Sequence, residues 1–193
     1  TLSFIQGPLA VHLAGRGIRA DWITGEFDNY RQELLNNESG VHKFSPQILI
    51  LILDHRAVHF WPDRGASYDE VRDLASKQVR EWGILWEKAH KESNAAVIQT
   101  NIALPCERVF GNFEAKATWS PSSYMRELNR VTMERAPSYV GICDAEYLSG
   151  YLGKQTWFDK PAWYNAGQGF GFQALNLLSR NLAGMIAGLM GKS

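Results

Sequence analysis

The stretch Ile48-Leu49-Ile50-Leu51-Ile52-Leu53, opened by Pro46 and closed by Asp54-His55-Arg56, decides the fold. A short, continuously aliphatic run bounded by such punctuation suits a parallel strand buried on both faces. It is the longest apolar run in the chain and far short of the roughly 20 residues of a membrane span. Its polar end carries a second message. In open parallel sheets, ligands sit beyond the carboxyl ends of the strands, so Asp54 and His55 become candidates for chemistry.

Working outward, residues 95–102 read as the next strand, closed by Pro105, and 139–143 as another, ending in Asp144. Upstream, 2–5 and 18–24 are shorter strand candidates. Helical patterns separate them. One starts near Pro8 and stops at Gly15 and Gly17; a second spans about 29–35. Residues 67–92 form the longest, with Ser67 and Glu70 spaced as a capping box. Residues 120–135 have Pro121 in the first turn, and 172–190 carry Leu175, Leu178, Leu182, Ile186 and Leu189 on one face. Strands alternating with helices predict a parallel sheet with right-handed crossovers. The expectation is an α/β, flavodoxin-like three-layer sandwich with a five-stranded parallel sheet in a single domain, 1–193. The irregular stretch 103–120 is long for a compact domain, and such loops are often functional.

The 193 residues carry 20 Lys+Arg against 20 Asp+Glu, and 45% are hydrophobic. That composition supports a core and excludes disorder. Zero net charge removes the basic footprint of nucleic-acid or anionic-membrane binding, and it leaves little solubility margin. The two cysteines, Cys106 and Cys143, have no metal-ligand spacing, so no metal is expected on this domain. The start lacks the pattern of a secretory signal. The expected location is cytoplasmic.

Two motifs fail on inspection. Gly188-Leu189-Met190-Gly191-Lys192-Ser193 resembles the tail of a phosphate-binding loop, but Ile186 stands where that pattern needs glycine, and the motif ends a helix. Gly167-Gln168-Gly169-Phe170-Gly171 lacks the spacing and the preceding strand of a dinucleotide fingerprint. No GxSxG elbow occurs.

Phe27-Asp28-Asn29-Tyr30-Arg31-Gln32-Glu33-Leu34-Leu35 is the first of five stretches that resemble one family. The others are the apolar run through Arg56, Val109-Phe110-Gly111-Asn112-Phe113-Glu114, Leu128-Asn129-Arg130, and Trp157-Phe158-Asp159-Lys160-Pro161-Ala162-Trp163-Tyr164. In this order they resemble the N-terminal domain of FkbH-like proteins, whose layout is similar to SGNH/GDSL hydrolases. The resemblance implies a following haloacid-dehalogenase-type phosphatase domain of subfamily IIIC, with its Mg²⁺, and no such motif occurs here. On that reading the chain stops in the helix leading into the phosphatase. The implied role is glyceryl or acyl transfer to an acyl carrier protein in polyketide-type assembly, with carrier and phosphatase domain as partners.

SGNH hydrolases use a serine after the first strand and a C-terminal Asp-x-x-His loop. Here the nearest hydroxyl is Ser3, followed by Gln6, and no histidine follows His90. A serine without a base is a weak nucleophile at neutral pH, so ordinary hydrolysis is disfavoured. What remains is a non-hydrolytic binding site, a rearranged esterase or acyltransferase using Ser3, His55 and Asp54, or a structural partner for the phosphatase. His55 would act as a base or donate to a thioester carbonyl; otherwise Asp54 caps the next segment and His55 is a loop residue. Gln6, Asn112, Glu114, Asp159 and Trp163 are the substrate-binding candidates. Asn112 and Glu114 would orient substrate or hold their own loop. Cys106 lacks neighbours that activate a thiol, apart from Arg108.

Overall fold

The computed structural model describes residues 3–25, 29–159, 161 and 169–192, with Ser3 placed by its backbone alone. Helix α1 (Ser3–Ala14) comes first, then α2 (Tyr30–Leu35), α3 (Gly40–Phe44) and strand β1 (Ile48–Leu51). After β1, a 3₁₀ turn at His55–Ala57 precedes α4 (Tyr68–Ser93) and β2 (Ala96–Thr100). A second 3₁₀ turn, Gly111–Ala115, leads to α5 (Pro121–Arg135) and β3 (Val140–Cys143). The chain ends with α6 (Ala145–Leu152), α7 (Lys154–Trp157) and α8 (Phe172–Leu189).

The parallel sheet is confirmed but its size is corrected. Among the described residues it has three strands in the order β1-β2-β3, all parallel, not five. Of the expected strand 2–5, Leu2 lies outside the described residues, and 3–5 are helical because helical periodicity wins there. Ile5, Leu9 and Leu13 recur every four residues, and all three are buried against Leu178, Leu182 and Ile186 of α8. Pro8 lies inside this helix and withdraws one donor from its ladder. Residues 18–24 have no sheet partner among the described residues and form no regular element.

Two cores flank the sheet. Strand side chains alternate between them, as a pleated backbone dictates. Leu49, Leu51 and Val97 meet Val79, Trp82 and Trp86 of α4 and Leu128 of α5. Ile48, Ile50 and Ile98 face the opposite way, toward Leu9, Leu178 and Leu182. Gly141 gives α8 close access to β3, since a Cβ there would meet the end of the Met185 side chain at 3.1 Å.

Helix α4 shows how local sequence sets an element. The Ser67 side chain accepts from the Glu70 amide, and the Glu70 carboxylate accepts in return from the Ser67 amide. At the other end Asn94 closes the helix at φ 52°. We expect Ser67→Ala to destabilise the domain by about 1 kcal/mol, a fall in midpoint of roughly 2–4 °C on thermal unfolding. An unchanged midpoint would mean the cap contributes nothing.

Candidate functional site

The three strand ends converge on one edge of the sheet, and their loops are tied together by side chains. Thr100, the last residue of β2, receives the Leu53 amide on Oγ1 at 2.8 Å and donates back to the Leu53 carbonyl at 3.0 Å. This two-way bond extends the β1–β2 pairing to the residue before Asp54. Asn101 then bridges to β3. Its Nδ2 donates to Asp144 at 2.8 Å, and its Oδ1 accepts the Glu146 amide at 2.9 Å. Glu146 in turn accepts from the Leu104 amide and from Lys154 Nζ, both at 2.7 Å. From α5, Asn129 accepts the Ile102 amide and donates to the Ile102 carbonyl, each at 2.8 Å. The amides of Leu53, Ile102, Leu104 and Glu146 and the carbonyls of Leu53 and Ile102 are backbone groups that would otherwise be left unpaired.

On this platform stand Asp54 and His55. Asp54 takes the capping role: its carboxylate accepts from the Arg56 amide at 2.8 Å and pairs with the Arg56 guanidinium at 2.6 Å. His55 is half-buried, and its Nδ1 is buried with no hydrogen-bond partner among the described residues. Burial is the largest influence on its ring and pulls the pKa below the ordinary histidine value. The Asp54 and Glu107 carboxylates push the other way, and Arg56 adds to the lowering. The imidazole is therefore neutral at pH 7, with one ring nitrogen a donor and the other an acceptor. Glu107, from the loop after β2, thus shares the field of the β1 terminus; nothing in its sequence position marked it.

The remaining candidates whose side chains are described do not join this cluster. Glu114 is 1% exposed and accepts from the Ser122 hydroxyl and the Phe110 amide. Burial would raise its pKa, but the Ser122 hydroxyl, the Phe110 and Val109 amides and the nearby Arg108 outweigh it and hold the carboxyl below its usual value. It fastens the 103–120 loop to α5. Asn112 is exposed in the same turn, and Asp159 is half-buried beyond α7. Gln6 lies in the first turns of α1 and lines a cavity away from Asp54 and His55. The side chain of Ser3 and all of Trp163 lie outside the described residues. Cys106 is exposed, whereas Cys143 is buried, which with Asp144 pushes its thiol up to about 12. Among the described residues no group of three or more His, Cys, Asp or Glu is placed to hold a metal ion.

Arg31, part of the first quoted stretch, pairs with Glu81 of α4 at 2.5 Å, beside His59. Burial works against the Glu81 carboxylate, and Arg31 and His59 more than offset it. That motif residue fastens α2 to α4.

The FkbH N-terminal domain family model matches residues 5–187. The chain belongs to this FkbH family. Its resemblance to FkbH-like proteins is thereby confirmed at the level of the N-terminal domain. A solved structure with a TM-score of 0.76 and 20% identity supports the fold. It is described as the N-terminal part of the protein BF1531 from Bacteroides fragilis, containing a phosphatase domain and complexed with Mg. The match covers 95% of the present chain and 49% of that one, so this FkbH N-terminal domain spans about half the length of its neighbour. Comparison with curated proteins gave no match. Among the described residues, no helix is long and apolar enough to cross a membrane.

Proposed function

We propose that this FkbH N-terminal domain is a non-hydrolytic, SGNH-like module that binds an acyl or glyceryl thioester carried by an acyl carrier protein. The carboxyl ends of β1–β3 are its binding edge. Its working partner is a haloacid-dehalogenase-type phosphatase domain of subfamily IIIC, which holds the Mg²⁺ and makes the three-carbon acyl unit available, in the cytoplasm, for polyketide-type assembly. The reading draws on the family and on the phosphatase domain of the neighbouring structure.

One observation carries it: a neutral, half-exposed His55 at the β1 terminus whose buried Nδ1 has no hydrogen-bond partner among the described residues, which leaves the ring's exposed edge to meet a ligand. A thioester carbonyl needs one donor, and a neutral imidazole supplies one without adding a charge. The Asp54 carboxylate is engaged with Arg56, which weighs against a rearranged Ser3–His55–Asp54 esterase.

The test is titration with a glyceryl-loaded acyl carrier protein, followed by NMR. Signals of Asp54, His55 and Glu107 are expected to shift, with affinity falling about tenfold in His55→Ala. Short-chain p-nitrophenyl esters should not be turned over. Ester turnover abolished by Ser3→Ala or His55→Ala would instead establish the esterase. Complete silence toward the carrier would leave the domain as a structural partner of the phosphatase.

A further inference from the structure

A neutral histidine at a strand end can meet a substrate in two opposite ways, and the difference is where its one ring proton sits. When an acceptor holds that proton on Nδ1, Nε2 presents a lone pair and the ring is a base, as in Ser-His-Asp sites. Without an acceptor at Nδ1 the proton belongs on Nε2, and the ring becomes a donor.

Among the described residues, His55 lacks that acceptor. Its Nδ1 is buried and has no hydrogen-bond partner. The adjacent carboxylate is committed elsewhere: Asp54 accepts from the Arg56 amide at 2.8 Å and pairs with the Arg56 guanidinium at 2.6 Å. A proton on Nδ1 would be a buried N–H with nothing to receive it, and an unfilled acceptor in the same place is the better tolerated of the two. With Nδ1 on the buried side of a half-exposed ring, Nε2, the nitrogen further from the backbone, is the one a ligand can reach.

We propose that His55 is fixed as its Nε2–H tautomer and serves as a hydrogen-bond donor to an uncharged carbonyl oxygen, not as a base. In this form Nε2 has no lone pair with which to take a proton from a hydroxyl. It polarises an acceptor and transfers no proton. Two carboxylates, Asp54 and Glu107, and one guanidinium, Arg56, act on the ring. That excess of negative charge disfavours a phosphate or carboxylate at Nε2, and a neutral thioester carbonyl is the fitting partner. The ligand's identity rests on the carrier-thioester reading above; the place of the proton does not.

The test labels the histidine rings of the whole chain with nitrogen-15 and reads both ring nitrogens of His55 at pH 7 through their couplings to the carbon-bound ring protons. Signals missing from His55→Gln identify the residue. Protonated and bare ring nitrogens resonate well apart, and the expected result is a protonated Nε2 beside a bare Nδ1. A proton on Nδ1, or an average over both positions, overturns the assignment. The same proteins are then titrated with glyceryl-loaded acyl carrier protein. A glutamine side chain carries its N–H near the place of Nε2, and an asparagine near that of Nδ1. His55→Gln should therefore stay within about threefold of the wild-type affinity, while His55→Asn falls about tenfold. Rescue by His55→Asn and not by His55→Gln, or equal loss in both, overturns the donor role. A carrier holding the same unit through a thioether, with no carbonyl, should bind the wild type as weakly as the thioester binds His55→Asn. Undiminished binding of that thioether would overturn the carbonyl as the acceptor. If the proton is found on Nε2 and no form binds the carrier, the tautomer is upheld and the carrier reading falls.

Discussion

Asn129→Ala is expected to lower stability by about 2–4 kcal/mol, since it strips both hydrogen bonds from a buried backbone unit. Asn129 is 6% exposed and Ile102, whose amide and carbonyl it satisfies, is 1% exposed. Water cannot replace the lost partner there without entering the core. For a domain of this size the fall in midpoint is roughly 5–15 °C, measured by thermal and urea unfolding. Asn129→Asp should be no better, because it keeps the acceptor, loses the donor and buries a charge. A loss under about 0.5 kcal/mol for alanine would show that the loop after β2 is held by packing instead.

The second large effect concerns Glu114, whose carboxylate gathers a hydroxyl and backbone amides in a buried position. Glu114→Ala leaves those donors unmatched and is expected to cost about 2–4 kcal/mol at pH 7. Its pH dependence has a definite sign. The native carboxyl titrates below its unfolded value of about 4.3, so the stabilisation is complete above that value and is lost as pH falls through the lower native pKa. The gap between wild type and variant, measured by urea unfolding at pH 7, 5 and 3, should therefore narrow toward acid. A gap that stays constant down to pH 3 would remove the carboxylate from the explanation.

Legibility in the sequence followed the length and amphipathic clarity of each segment. The aliphatic run at 48–53 announced a two-faced parallel strand, and the 67–92 pattern announced α4 down to its capping box. Residues 2–5 misled because four residues are too few to separate periods of 2 and 3.6; the evidence for α1 lay in Leu9 and Leu13, further along. At the site, Asp54 and His55 were visible because polarity changes abruptly after β1. Glu114 stood in a recognisable motif, yet its work is to hold a loop, and a motif alone does not separate the two roles. Thr100 and Asn101 were hidden. Their importance comes from bonds to Leu53, Asp144 and Glu146, and such pairings are fixed by strand register, not by local pattern. Asn129 was quoted within a motif, but its partner Ile102 lies 27 residues away.

The packing of α1 on α8 has a consequence for biosynthesis. Helix α1 buries Leu9 and Leu13 against α8, and His12 meets Asn176 at 2.9 Å across 164 residues of sequence. Until α8 has emerged, α1 has almost nothing on which to bury its apolar face. The second core is therefore a clasp that fastens only once α8 has been made, and a nascent chain halted before α8 would expose it to chaperones and proteases. The same fastening couples the first and last described helices of the domain, so neither reaches its native packing without the other.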